Sequence, residues 1–193
     1  MENTEIEKRF SVKNKSSLLK KLGHLGKEIF ANHQVDTYYS PSHRNFLDEK
    51  HPFEWLRLRD DQGKYVFTYK HWYPERVKES THCDEYESKI ENIESFRKIL
   101  KALDFEEVVV VDKKRTAYTI KNLEVAVDDV KDLGMFLEIE IKDHYESVED
   151  GIEQIYALAK KLGLEQLPED HPVRTGGYAL QLYLKNKKVI GRV

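Results

Sequence analysis

Two spacings recur along this chain of 193 residues: acid–x–acid and base–x–base. Glu5 and Glu7 stand two apart, with Arg9 two further on, and Arg57 and Arg59 repeat the interval. Lys70 follows Thr68, Glu85 and Glu87 flank Tyr86, and Lys113 and Arg115 flank Lys114. Glu124 and Asp128 share one parity, as do Glu138, Glu140 and Lys142. In an extended strand alternate side chains share a face, so each pair turns two charges to the same side. Lys and Arg grip phosphate oxygens, Arg with a two-point fork. Paired carboxylates hold hard cations such as Mg²⁺ or Mn²⁺, which also bridge to phosphates. Both kinds of pair on the same faces have the chemistry of a polyphosphate–metal site.

An alternating strand is more often an ordinary sheet face, apolar inward and wet outward. The opposite parity here is apolar: Ile6, Phe10 and Val12 in the first strand, with Lys8 the one charge among them, then Leu56, Leu58, Leu137 and Ile139. Helices with apolar stripes would pack on that side. On an open sheet the charged face is simply solvated. If the sheet closes, the charges point into a lumen, where each costs several kcal/mol unless paired, metal-bound or kept wet. Periodicity leads as far as a polyphosphate–metal tunnel and no further.

The elements that must position these residues are legible from pattern. Ser16–Gly26 reads as a helix with Ser16 as N-cap and Leu18, Leu19, Leu22 and Leu25 as its stripe. Glu28–Ser40 reads as a strand, 41–52 as a loop, and Phe53–Trp72 as a hairpin turning at Asp61-Gln62-Gly63. Val77–Ile90 is extended, and Asn92–Leu103 is an amphipathic helix. Three strands follow, FEEVVVVDKKRTAYTI, LEVAVDDV and GMFLEIEIKDHY. Ser147–Leu164 is a third helix opened by the Ser147/Asp150 capping pair. The remainder to Val193 is mixed. The order β-α-β-β-β-β-α-β-β-β-α predicts an α+β domain spanning residues 1–193, with about eight antiparallel strands, enough to close into a barrel.

Composition narrows the classes. Charged residues make up 35% and hydrophobic residues 39%, with a formal net charge of −3. That balance gives no long-range pull toward nucleic acid or an acidic membrane, and neither is expected as a partner. The single cysteine, Cys83, excludes an intrachain disulfide and a Cys-based zinc cluster. No apolar run approaches a membrane span or a signal peptide, which predicts a cytoplasmic protein. P-loop and Rossmann glycine patterns are missing.

Taken in order, the charged segments resemble the CYTH domains, or triphosphate tunnel metalloenzymes, which include class IV adenylyl cyclases, thiamine triphosphatases and inorganic tripolyphosphatases. The E-x-E-x-K strand of that family is matched by Glu5-Ile6-Glu7-Lys8-Arg9, with Arg in the Lys position. L-R-x-R corresponds to Leu56–Arg59, T-x-K to Thr68–Lys70, E-x-E to Glu85–Glu87 and K-x-R to Lys113–Arg115. The most specific element, D-x-V-x-x-L-G-x-F-x-E-x-E, is met in full by Asp128–Glu140. The similarity covers about residues 4 to 163.

The resemblance implies a closed eight-stranded antiparallel barrel with helices outside, whose tunnel binds a triphosphate with Mg²⁺ or Mn²⁺. It assigns phosphate binding to Arg57, Arg59, Lys70, Lys113 and Arg115. Glu5, Glu7, Asp128, Glu138 and Glu140 would hold metal, with Glu85, Glu87 and Tyr38 as further site candidates. Lys113, Arg115 and Arg9 would be catalytic. Arg9 departs from the pattern, since Arg cannot serve as a base at any relevant pH.

The second strand, Gln34-Val35-Asp36-Thr37-Tyr38-Tyr39, is similar to the cyclase and thiamine triphosphatase branch and differs from the Gln-Gly-Tyr-Leu of bacterial tripolyphosphatases. An organic triphosphate, ATP or thiamine triphosphate, therefore ranks ahead of tripolyphosphate. The alternatives are an inorganic tripolyphosphatase or a non-catalytic triphosphate-binding protein, acting as monomer or homodimer. Residues 165–193 are expected to cover one tunnel end.

Overall fold

In the computed structural model, which describes residues 4–190, the alternating segments become strands that pair edge to edge until the sheet meets itself. These are β1 (Thr4–Ser11), β2 (Lys27–Pro41), β3 (Glu54–Asp61), β4 (Lys64–Tyr73), β5 (His82–Ile90), β6 (Phe105–Ile120), β7 (Leu123–Val130) and β8 (Gly134–Ile141). The order round the barrel is β5-β4-β3-β2-β6-β7-β8-β1, and β1 returns to β5. It is a closed eight-stranded antiparallel barrel with four helices, as expected.

Among the described residues the closing seam is short: β1 pairs β5 at Thr4↔Asp84 and Glu5↔Cys83. Further along the same edge, Phe10 and Ser11 pair with a two-residue strand, β9 (Glu165–Gln166). Between these pairings lies Lys8, the odd charge on the apolar parity. Its ammonium bonds Glu79 at 3.0 Å and the Ser80 carbonyl at 3.3 Å, and Glu79 also receives Arg174 at 2.8 and 2.9 Å. An ion-paired strap stands where ladder bonds are missing.

Helices cover the apolar outer face. α1 (Lys15–Leu25) and α3 (Val148–Leu162) bury Leu18, Leu22, Ile155 and Leu158 against Ile6, Leu137 and Ile139. Fully burying one such side chain stabilises the fold by about 1.5–3 kcal/mol. α2 (Ile93–Ala102) sets Leu100 and Phe96 against Leu56, Leu58 and Phe67, with the two Phe rings edge to face at 4.6 Å. Asn14, not Ser16, caps α1: its side chain accepts from the Ser17 amide at 3.0 Å. Either residue type can cap, and the turn after β1 places Asn14 there. Ser147 caps α3 through the Asp150 amide at 3.2 Å. The extended reading of 77–90 is shortened to begin at His82, since 77–81 form the loop carrying the Glu79 strap.

The β3–β4 turn has positive φ at both central residues, Gln62 (56°) and Gly63 (86°), the geometry whose twist suits a two-residue hairpin. Past β9, residues read as mixed form α4 (Pro172–Ile190), broken at Gly176 and Gly177. α4 packs Val173, Tyr178, Ala179 and Leu182 against Trp55, Val109, Val111, Val130 and Phe136. Those barrel residues share parity with the charged pairs, so this apolar cluster fills the inner face at the α4 side.

Candidate functional site

Above that cluster the inner face is charged and encloses a cavity of about 220 Å³. Register decides who meets whom. Glu7 on β1 lies directly opposite Glu140 on β8, and Glu140 lies opposite Glu124 on β7. Three carboxylates thus stand in one cross-strand row, a like-charge arrangement that destabilises a sheet unless something compensates it. Burial, with Glu138 and Glu5 nearby, raises the Glu7 carboxyl to about 7 despite Arg9. Burial and then Glu5 raise Glu140 to about 8 against the pull of Lys142.

Cations meet every acid of the candidate metal set: Arg9 contacts Glu7, and Lys142 contacts Glu140. Glu5 accepts from Lys70. Glu138 accepts from Arg9 Nε at 2.8 Å and Arg115 Nη2 at 2.9 Å. Burial works against the charge of Glu138, but Arg115 and Arg9 outweigh it and hold the carboxyl well below the usual range. Among the described residues no three acid, His or Cys side chains converge on one point as placed. The donor set nevertheless fits a hard divalent cation: it is all carboxylate oxygen, lines one cavity, and carries a row of opposed charges that a cation would relieve.

Across the lumen is an arc of bases. Arg57 and Arg59 come from β3, Lys70 from β4, Lys113 and Arg115 from β6, and all five line the cavity. Arg57 Nη2 donates to Thr68 at 3.1 Å, while its buried Nε has no acceptor. That orphan N–H is a donor that an anionic oxygen would satisfy. Lys70 also lies 3.3 Å from Glu85. Lys113 is 4% exposed, and burial together with Arg115 pushes its ammonium down to about 8, against Asp36 and Asp128.

Arg9 joins two of the carboxylates by contacting Glu7 and Glu138 at once. Its guanidinium carbon sits 5.6 Å over the Tyr178 ring, and Gly177 backs the same group. Tyr178 donates its hydroxyl to Asp128 at 3.0 Å. Asp128 also takes both Arg115 bonds, at 2.8 and 2.6 Å, and has no exposed surface.

All the residues singled out by spacing point inward, but they do not occupy equivalent places. Glu5, Glu7, Glu138 and Glu140 line the cavity, whereas Asp128 lies behind Arg115. Glu85 is beside Lys70, while Glu87 is half-exposed and accepts from Thr68 at 2.9 Å. Tyr38 lines the cavity edge-to-face with Trp55 at 5.8 Å. Pattern reading passes over Asp36, which is fully buried and holds Arg59 with bonds of 2.7 and 2.9 Å. Its parity with Gln34 and Tyr38 is the available signal. Tyr178 also escapes pattern reading as a site residue, since nothing near it in sequence announces Asp128 as its partner.

The sequence profile of the CYTH domain matches residues 3–170. A Methanocaldococcus jannaschii protein bearing the name "Putative adenylate cyclase" is 34% identical over 165 residues, covering 84% of this chain and 91% of its own length. One solved Pyrococcus horikoshii structure superposes with a TM-score of 0.70 at 28% identity, over 83% of this chain and 91% of that one. Another from the same organism gives 0.75 at 24% identity, over 95% and 99% of the two chains, a likeness of fold. Among the described residues no helix is long and apolar enough to cross a membrane.

Proposed function

The chain belongs to the CYTH domain family, and from that premise we propose that it is a divalent-metal-dependent enzyme acting on the triphosphate of an organic substrate. One observation carries the reading. Five cations and a row of carboxylates face each other across a single barrel cavity, with the Arg57 Nε donor unpaired. A cavity of about 220 Å³ is below the ~300–1,000 Å³ of sites that engulf whole drug-sized ligands. It suits the phosphate chain, with Tyr38 and Trp72, which also line the cavity, as aromatic surface for the organic group.

In this reading Arg57, Arg59, Lys70, Lys113 and Arg115 bind phosphate oxygens. Mg²⁺ or Mn²⁺ would be held by Glu5, Glu7, Glu138 and Glu140 and would supply charge neutralisation on the phosphate oxygens. Phosphoryl transfer then needs alignment and stabilisation of charge on the transferring group. Arg115, fixed from behind by Asp128, provides a rigid cation for that charge. Arg9 and Arg115 remain protonated throughout. Lys113, with its ammonium pushed down to about 8, is the base in the arc able to hold or release a proton near neutral pH. Attack by water breaks a phosphoanhydride bond and gives hydrolysis. Attack by a ribose 3′-hydroxyl on the α-phosphorus releases pyrophosphate and leaves a cyclic nucleotide. The name of the Methanocaldococcus relative favours testing the second outcome first.

A second reading, binding without turnover, rests on Arg9. It occupies two proposed metal ligands, Glu7 and Glu138, where the family pattern has Lys. Incubation with ATP, thiamine triphosphate and tripolyphosphate, each with Mg²⁺ or Mn²⁺, separates the readings. Metal-dependent turnover that is lost in Glu138→Ala and Lys113→Ala supports the enzyme, and cyclic AMP among the products identifies a cyclase. Tight binding with no product from any of the three sinks the catalytic reading.

A further inference from the structure

Asp36 lies outside every charged pair that faces the cavity, yet it touches more of the base arc than any ligand-facing acid does. It sits on β2 opposite Arg59 on β3 and Val111 on β6, with no exposed surface. Arg59 gives it Nε at 2.7 Å and Nη2 at 2.9 Å, Lys113 Nζ lies 3.3 Å away, and Arg57 Nη1 lies 3.9 Å away. Arg59 and Lys113 line the cavity, and Asp36 does not.

The geometry points to Asp36 as a positioning residue of the phosphate grip, which aims the free N–H groups of Arg59 and Lys113 into the cavity. A guanidinium has five N–H donors in a rigid fork. Two of them on one carboxylate fix the plane of Arg59 and leave Nη1 to a ligand. The ammonium of Lys113 has three donors, of which Asp36 engages one. Unanchored, both long side chains would sample rotamers that have to be ordered, at a cost in entropy, when a ligand arrives. A wholly buried carboxylate cannot itself bind an anion, and its charge repels one. Its place among three phosphate-facing cations is therefore explained by orientation, with the repulsion as the accompanying cost.

This inference rests on the triphosphate reading, and it makes a prediction of opposite sign to charge compensation alone. On electrostatics alone, Asp36→Asn removes a negative charge and tightens tripolyphosphate binding. On positioning, it weakens binding. The experiment is calorimetric titration of metal-free tripolyphosphate into the wild type, Asp36→Asn, Arg59→Gln and the double variant. Asp36→Asn is expected to weaken binding about tenfold, the scale of one charge-assisted contact. In the Arg59→Gln background Asp36→Asn should cost clearly less than it does alone, because only its hold on Lys113 remains to be lost. Equal or tighter binding by Asp36→Asn, or losses that multiply in the double variant, overturns the proposal. If Asp36→Asn does not fold, Arg59→Lys takes its place, keeping the charge and losing the two-point contact; unchanged affinity then overturns it. Failure of the wild type to bind tripolyphosphate, ATP or thiamine triphosphate, with or without Mn²⁺, is failure of the functional reading instead. Asp36 is then decided by an NMR titration of the Lys113 side chain. Removing the neighbouring carboxylate should move that titration downward in pH, and an unmoved titration rejects the placement.

Discussion

Arg115 and Asp128 stand directly opposite each other on β6 and β7, and the guanidinium donates to both carboxylate oxygens, at 2.8 and 2.6 Å. Both are buried, and Tyr178 from α4 adds a third bond to the same carboxylate. The pair is thus a fixed cation with its back to the protein and its remaining Nη2 bond on Glu138.

Removing either end of this arrangement should cost unequal amounts. Asp128→Asn leaves a buried guanidinium short of its counter-charge, and losses of about 3–5 kcal/mol are expected for a broken buried pair. Tyr178→Phe leaves Arg115 in place and should cost about 1 kcal/mol. Urea unfolding of the two variants measures both, and equal costs would contradict the arrangement.

Glu138 and Glu140, two residues apart, should respond in opposite directions. Glu138→Gln loses the charge that pairs with Arg9 and Arg115, so the metal-free protein is destabilised. Glu140→Gln relieves the opposition to Glu7 and Glu124, so the metal-free protein is stabilised at pH 8, by about 1 kcal/mol or less. Both variants should lose thermal stabilisation by Mn²⁺. Thermal melts with chelator and with Mn²⁺ test both statements, and a stabilised Glu138→Gln would count against them.

Stability of the metal-free protein should fall as pH rises from about 5 to 8. Glu7 and Glu140 have carboxyls raised to about 7 and about 8, from the ordinary glutamate value of 4.5. In that window the folded state holds protons that the unfolded state has lost, so ionisation favours unfolding. Lys113, pushed down to about 8, contributes the opposite slope above pH 8, where the unfolded state binds the extra proton. The thermal midpoint should therefore drop by several degrees between pH 5 and 8 and flatten above it. Mg²⁺ or Mn²⁺, which displaces those protons, should stabilise more at pH 8 than at pH 5. A midpoint that rises across pH 5–8 without metal would exclude this account.

Gly177→Ala should damage the α4 end of the site. Gly177 has φ 72° and ψ −171°, a region almost confined to glycine, and strain there costs about 1–3 kcal/mol. An added Cβ would meet the Arg9 guanidinium at an ordinary contact distance of 3.5 Å, so the cost is backbone strain. Chemical denaturation gives the cost. Gly23→Ala, a helical position with nothing within 4 Å, is the control and should be neutral or slightly stabilising.

Much of the fold is legible in the sequence because its signals are local. Alternation marks seven of the strand faces, and the stripes of Asn92–Leu103 and Ser147–Leu164 mark two helices, each within a window of a dozen or so residues. Parity alone also places Glu5, Glu7, Arg57, Arg59, Lys113, Glu138 and Glu140 on common faces. The cap of α1 falls two residues earlier than its pattern suggests, since Asn14 and Ser16 offer similar chemistry and the path of the preceding turn selects between them. The final helix escapes pattern reading, because Gly176 and Gly177 interrupt its period where Tyr178 turns to Asp128.

Periodicity determined which side chains of a strand look the same way, a property of the backbone that needs no partner. Only the tertiary structure decided what they look at. Among the described residues closure runs through two pairs between β1 and β5, some eighty residues apart in the chain, and the Lys8–Glu79–Arg174 strap beside them. Register then made Asp128 the support of Arg115, gave Asp36 three cations, and set Glu7, Glu140 and Glu124 in one row. A slip of one residue in any of those pairings would turn the same charges outward. Pairing and register are fixed by burying the apolar face under α1, α2 and α3, an energy shared by the whole barrel and written in no single strand.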